Sequence, residues 1–285
     1  MIKKQTVYLQ YVQKYNVFAV EDELIKKLVA ENVVPEILLG AADYVRLGEK
    51  MPAENAPVIG FLCCREENMY SVDFNYAKSL VRSGADLRFL TYENVVQQME
   101  HIDGLMLPGG RFPSPEEFYV DGKKDEEGPS LDRAYAYIDC IKEAESRGLP
   151  ILGVCAGAQM LGAVHGMKLY RNAHQYTETD IEHKTTKLHA HTVIIKEKSM
   201  LHELIGMNEI VVNSRHIEAM VNNDKQSDLS IFATAPDGVP EAWGSEERGI
   251  LCIQWHPEDF AADGNKTMQK LYDWLIKKAK KCTHI

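Results

Sequence analysis

The sequence predicts an α/β fold: a three-layer sandwich around a mostly parallel sheet, with an N-terminal helical extension. Three observations lead there. From residue 57 onward, short and almost wholly apolar runs alternate with longer segments of helical periodicity, as in a parallel sheet buried on both faces. Two of these runs end in small-residue turns, at Gly109 and Gly110 and again at Cys155 to Ala158, the end of a strand where such sheets gather functional groups. Residues 1–55 differ in character: 21–32 and 35–50 carry apolar residues at helix-like spacing, and MPAENAP (51–57) has the composition of a linker. The chain therefore divides into a helical extension at 1–55 and one α/β domain at 56–285.

The elements follow in order. PVIGFLC (57–63) is a buried strand, VDFNYAKSLVRSG (72–84) an amphipathic helix stopped by Gly84, and ADLRFLTY (85–92) the next strand. HIDGLMLPGG (101–110) is a strand that runs into a glycine turn. The acidic segment 120–130 is a surface excursion, and Pro129 with Ser130 opens a helix over 131–148. LPILGVC (149–155) is a strand, and 156–166 is the helix after it. The later runs at 191–197, 208–214, 229–238, 240–245 and 250–258 are rich in β-branched residues with hairpin-like gaps. An amphipathic helix over 267–281 closes the domain, with lysines in its last turns.

Composition excludes several classes. At 45% apolar and 26% charged residues the chain is an ordinary globule. Its 32 basic and 42 acidic side chains leave −10, which opposes non-specific binding to nucleic acid. No apolar run approaches the roughly 20 residues of a membrane span, and polar residues break the run behind Lys3 and Lys4, so no secretory leader is expected. The six cysteines are scattered without a framework, which fits thiols in a reducing cytoplasm.

Cys155 stands where an apolar strand meets AGAQ, the strand–nucleophile–helix arrangement of a nucleophile elbow. A helix start there offers unpaired N–H groups and positive potential to a thiol, although a cysteine in apolar surroundings is also ordinary packing. His256 follows the strand 250–255 and precedes Pro257, which projects it from a strand end, and Glu258 is near enough to orient it. Gly109 and Gly110 are candidates for an oxyanion turn, and equally for a turn with no chemistry. The histidine-rich 183–191 reads as a loop and strand start. A zinc site joining His256 to His216 lacks a ligand triplet of suitable spacing, so no metal or cofactor is expected.

Together, LPGGR, GVCAGAQMLG and QWHPE resemble the class I glutamine amidotransferase-like superfamily, whose fold is flavodoxin-like. VNSRHIEAM (212–220), APDGVPEAW (235–243), LCIQWHPEDF (251–260) and HAHTVIIKEKSMLHELIG (189–206) are similar to its gamma-glutamyl hydrolase branch, peptidase C26-like. That branch includes gamma-glutamyl-gamma-aminobutyrate hydrolases. The resemblance spans about residues 57–278.

It implies a triad of Cys155, His256 and Glu258 cleaving a gamma-glutamyl amide through a thioester, with the N–H groups of Gly110 and Ala156 as oxyanion hole. It also implies a small gamma-glutamyl compound as partner, contacted by Gly109, Arg111, Gln159, Arg215 and His216. Two positions depart from the branch: Ala156 stands where an arginine is common, and Phe112 where an aspartate is common. The motif set also serves glutaminase subunits that pass ammonia to a separate synthetase, and the two departures leave a non-catalytic binding protein open. A homodimer contact is one of the roles open to residues 1–55.

Overall fold

The computed structural model describes residues 3–111, 113–124, 130–221 and 227–282. Phe112 and Pro129 lie outside them. An 11-stranded sheet runs through the molecule in the order Lys3–Tyr8, Val33–Leu38, Asp86–Leu90, Val58–Leu62, Gly104–Leu107, Ile151–Val154, Ile250–Ile253, Pro240–Ser245, Ser230–Thr234, His191–Ile195, Glu209–Val212. From Asp86–Leu90 to Ile250–Ile253 the neighbours are parallel, and from Ile250–Ile253 outward they are antiparallel. This is the expected α/β sheet, with a parallel centre and an antiparallel flank.

The central strands read as continuous apolar runs because both of their faces are covered. Along Gly104–Leu107, Leu105 and Leu107 belong to one buried cluster and Met106 to the other. Ile250 and Cys252 alternate with Leu251 and Ile253 in the same way. The helices Asp132–Ser146 and Ala156–Val164 cover the first face. Phe74–Arg82 and Lys266–Cys282 cover the second, where Leu271, Tyr272, Leu275 and Ile276 are buried. The first three of these helices fall within the segments read from the sequence, and Lys266–Cys282 exceeds its reading by one residue at each end.

The N-terminal segment is not a helical extension, and that expectation is corrected. Residues 3–47 contain four strands and two helices. Lys3–Tyr8 and Val33–Leu38 pair with each other in parallel and add to the edge of the main sheet, Ile37 facing Phe89. Gln10–Val12 and Val17–Glu21 join Met69–Asp73 and Cys64–Glu66 in a separate 4-stranded sheet. The physical reason lies in Val7, Tyr8, Tyr11, Val12, Val17, Phe18 and Val20, β-branched and aromatic residues that pack best on a pleated surface. The helices that do form, Asp22–Ala30 and Ala41–Leu47, lie inside the two helical readings, but Val33–Leu38 takes the start of the second. No described helix is long and apolar enough to cross a membrane.

Candidate active site

Three adjacent parallel strands deliver the site. Gly104–Leu107, Ile151–Val154 and Ile250–Ile253 are in register, so their carboxyl ends place the Gly109–Gly110 turn, Cys155 and the His256 segment side by side. The ladder extends one residue further, for the Cys155 N–H donates to the Ile253 carbonyl at 2.8 Å. Cys155 then turns sharply, with φ 51° and ψ −113°, conformational space that a side-chain-bearing residue rarely enters. Its carbonyl accepts from Gln159 N–H at 2.9 Å, which starts the helix Ala156–Val164.

The small residues around Cys155 make that turn possible. A Cβ on Gly153 would sit 2.8 Å from Leu161 Cδ1 and 2.9 Å from the Ala158 backbone, and one on Gly157 would overlap the Leu107 carbonyl. Strand and helix therefore approach closely enough to hold the strained residue in place. Burial pushes the thiols of Cys63, Cys140 and Cys252 up and keeps them neutral.

His256 caps the helix Pro257–Ala262. Its Cε1 and the Cys155 Cβ both lie against Gly109, while Nδ1 lies 2.6 Å from Glu258 Oε1. Burial alone would lower the imidazole, but the negative charge of Glu258 and then of Cys155 outweighs it, and His256 is pushed up to about 10. Asn213, not among the residues singled out from the sequence, clamps the histidine with its side chain. Its Oδ1 accepts from His256 N–H at 2.8 Å, and its Nδ2 donates to the His256 carbonyl at 3.0 Å and to Asp259 Oδ2 at 2.9 Å. The legible signal was its place directly after strand Glu209–Val212, inside the VNSRH motif. Asn213→Ala leaves buried backbone groups unpaired, so a loss of about 1–3 kcal/mol is expected in denaturant unfolding. The accompanying fall should be in kcat more than in KM. A fall confined to KM would contradict a clamp on His256.

The glycine turn is braced from below. Arg133 Nη2 donates to the Gly109 carbonyl at 2.7 Å, and Tyr137 OH donates to the Pro108 carbonyl at 2.6 Å. Gly109 N–H donates to Tyr76 OH at 3.2 Å. Gly110, at φ 132°, takes a conformation that favours glycine, and a Cβ there would meet Arg133 Nη1 at 2.6 Å. Ala156 is the first residue of its helix, where a backbone N–H has no intrahelical acceptor. Arg133 and Tyr137 carried no sequence signal, because they sit in a helix whose pattern explains them as packing.

The residues expected to contact a substrate separate into groups. Arg111 is exposed beside Gly110. The Arg215 guanidinium is paired with Asp259 and approaches Glu258 Oε1 to 3.9 Å, so its charge is already engaged. Gln159 is buried, with Nε2 donating to Gln254 Oε1 at 3.1 Å and to the Glu218 carbonyl at 3.3 Å. His216 corrects the expectation that it lines the pocket. It is 3% exposed and turns inward, with Nδ1 donating to the Glu218 carbonyl at 2.8 Å and Nε2 facing the buried Glu241. His183 and His191 converge on the same carboxylate, a cluster that the sequence spacing did not suggest.

Comparisons with known proteins agree with this architecture. The Peptidase C26 family model matches residues 57–258. A glutamine amidotransferase-like protein of Lactococcus lactis is 31% identical over 175 residues, 58% of this chain and 70% of that protein. The gamma-glutamyl-gamma-aminobutyrate hydrolase of Escherichia coli K12 is 28% identical over 226 residues, 72% of this chain and 86% of the relative. Among solved structures, a glutamine amidotransferase of Thermotoga maritima superposes with a TM-score of 0.56 at 14% identity. That match covers 80% of this chain and 100% of that one.

Proposed function

The chain belongs to the Peptidase C26 family of glutamine amidotransferase-like hydrolases, and we propose that it cleaves a gamma-glutamyl amide through a thioester on Cys155. The observation that carries this reading is the strained Cys155, at φ 51° on a strand end, beside an imidazole whose Nδ1 lies 2.6 Å from Glu258. A structural cysteine has no use for such a conformation, whereas a nucleophile gains an exposed line of attack from it.

In the proposed reaction the Sγ proton rests on His256, and Sγ attacks the gamma-carbonyl carbon. The carbonyl electron pair moves onto oxygen, which the N–H groups of Gly110 and Ala156 receive. Collapse of the tetrahedral species breaks the C–N bond, and His256 returns its proton to the departing amine. Water then attacks the thioester with His256 as base. The products are a gamma-carboxylate and the free thiol. Glu258 holds the Nδ1 proton throughout and stabilises the imidazolium.

The substrate brings its own α-carboxylate, and Arg111 is the cation on the open side of the glycine turn. Ala156, itself a proposed oxyanion donor, and Phe112, two residues after Gly110 in the sequence, depart from the branch, so the relatives' substrates do not transfer directly.

The test is a panel of gamma-glutamyl amides and glutamine, with the acyl-enzyme trapped by acid quench and read as intact mass. A glutamyl adduct on the wild type that is absent from Cys155→Ala supports the reading. No adduct on any amide, while Cys155 remains alkylatable, overturns it. Release of ammonia from glutamine alone would point instead to a glutaminase that feeds a synthetase.

The pH profile follows from His256. Its proton serves the leaving amine and is held well above the ordinary imidazole range, to about 10. The alkaline limb of kcat/KM is expected near pH 10, with activity kept through pH 8–9 and lost as the proton leaves. An alkaline limb near pH 7 would contradict the Glu258–His256 arrangement.

A further inference from the structure

Behind the candidate active site, three histidines surround one carboxylate in the interior. His183 Nδ1 lies 3.4 Å from Glu241 Oε1, His216 Nε2 lies 3.4 Å from it, and His191 Nε2 lies 3.6 Å from it. The side chains of His183, His191, His216 and Glu241 are 3%, 5%, 2% and 0% exposed. All three facing nitrogens and both Glu241 oxygens are without a hydrogen-bond partner among the described residues. Buried polar atoms are almost always paired, so five unpaired ones at a single point require a cause.

The other ring nitrogens supply it. His216 Nδ1 lies 2.8 Å from the Glu218 carbonyl, and His191 Nδ1 lies 3.1 Å from the Thr192 carbonyl. A carbonyl only accepts, so each of these nitrogens carries the proton. His183 Nε2 lies 2.9 Å from Asp237 Oδ2, itself buried, and donates likewise. Every ring is thereby fixed in the tautomer that turns a lone pair toward Glu241. Four lone-pair atoms facing one another repel, unless something positive stands between them.

Protons do not fit that place. An imidazolium would close on the carboxylate to about 2.7–2.9 Å, and these separations are longer. A tetrahedral zinc ion with ligands at about 2.0–2.1 Å separates them by roughly 3.3–3.4 Å. His183, His216 and Glu241 offer atoms all within 4.8 Å of one another, the span of one coordination shell.

We infer that His183 Nδ1, His216 Nε2 and Glu241 Oε1 bind a zinc ion. Two imidazole nitrogens with one carboxylate oxygen, all buried, suit zinc and disfavour magnesium or calcium. The Asp237 and Glu218 acceptors are the outer partners that orient metal-bound histidines.

The ion would sit apart from the chemistry but be tied to it. Glu241 accepts from Gln254 N–H at 2.8 Å through its backbone carbonyl, two residues before His256. His216 shares its segment with Asn213, which clamps His256. The ion would therefore pin the far side of that clamp as a positioning element.

The test uses the full chain without a polyhistidine tag, equilibrated with zinc sulfate and dialysed against a weak chelator. Elemental analysis is expected to give about one zinc per chain, and X-ray absorption at the zinc edge a shell of nitrogen and oxygen at about 2.0 Å with imidazole scattering. Stripping with a strong chelator should lower Tm by at least about 5 °C, restored by zinc. His216→Gln that remains folded by circular dichroism should lose the zinc. Less than a tenth of an equivalent in the wild type, or a sulfur shell marking zinc on Cys155, overturns the inference. Full retention by folded His216→Gln does so too. If that variant does not fold, the wild-type absorption spectrum decides alone.

Discussion

Cys155→Gly and Cys155→Ala are both expected to lose at least about 10⁴-fold in turnover of a gamma-glutamyl amide, yet the glycine variant should be the more stable of the two. Loss of Sγ removes the acyl acceptor in either case. The backbone separates the variants. Alanine keeps a Cβ at φ 51° and ψ −113°, a conformation that costs of order 1–3 kcal/mol. Glycine removes that strain and gives back about 0.5–1 kcal/mol through the greater freedom of its unfolded chain. The surplus is about 1 kcal/mol in favour of glycine, or roughly 2–4 °C in Tm for a domain of this size. Calorimetry on the two inactive variants measures it. A glycine variant no more stable than the alanine one would mean that the elbow stores no strain, and the argument for Cys155 as nucleophile would lose its backbone support.

The site was legible where chemistry and chain order coincide. Cys155, the Gly109–Gly110 turn and His256 each follow an apolar strand directly, so reading the strands placed all three at one end of the sheet. His256 and Glu258 are two residues apart, and the turn into helix Pro257–Ala262 is enough to bring them together. Groups recruited across the fold were not legible. Val17–Glu21 finds its partner in Met69–Asp73, about fifty residues on, and nothing in VFAVE announces that pairing. Val33–Leu38 contains Pro35 and Glu36 within a stretch of helix-like spacing, and its strand character comes from lying at a sheet edge against Lys3–Tyr8. The histidine cluster is the extreme case. Its members come from the loop before His191, the strand His191–Ile195, the VNSRH segment and the strand Pro240–Ser245, so ligand spacing along the chain had no pattern to offer. The antiparallel flank of the sheet assembles them.

Gly157→Ala and Gly109→Ala each add a single methyl group within a short distance of Cys155, and opposite outcomes are expected. At Gly157, in the first turn of a helix, intrinsic propensity favours alanine by about 1 kcal/mol. That gain is overwhelmed, because the new Cβ would overlap the Leu107 carbonyl, a backbone atom fixed in the central sheet. No rotamer relieves the overlap, so strand and helix must part. A loss of at least about 3 kcal/mol, or no folded protein, is expected in denaturant melts. At Gly109 the new Cβ would lie 2.9 Å from His256 Cε1, 3.0 Å from Cys155 Cβ and 3.4 Å from Tyr76 Oη. These are side-chain atoms, which can yield by a few tenths of an ångström, so the fold should lose only about 1–2 kcal/mol. What yields, however, is the proposed nucleophile and its base, and a misplacement of that kind costs on the order of 100-fold in rate. Measuring acyl-enzyme formation beside Tm for both variants separates the two effects. If Gly109→Ala kept full activity, the geometry that sets Cys155 against His256 could not be what drives the reaction. If Gly157→Ala were as stable as wild type, the close packing of elbow helix on sheet would not be what holds Cys155 in its strained turn.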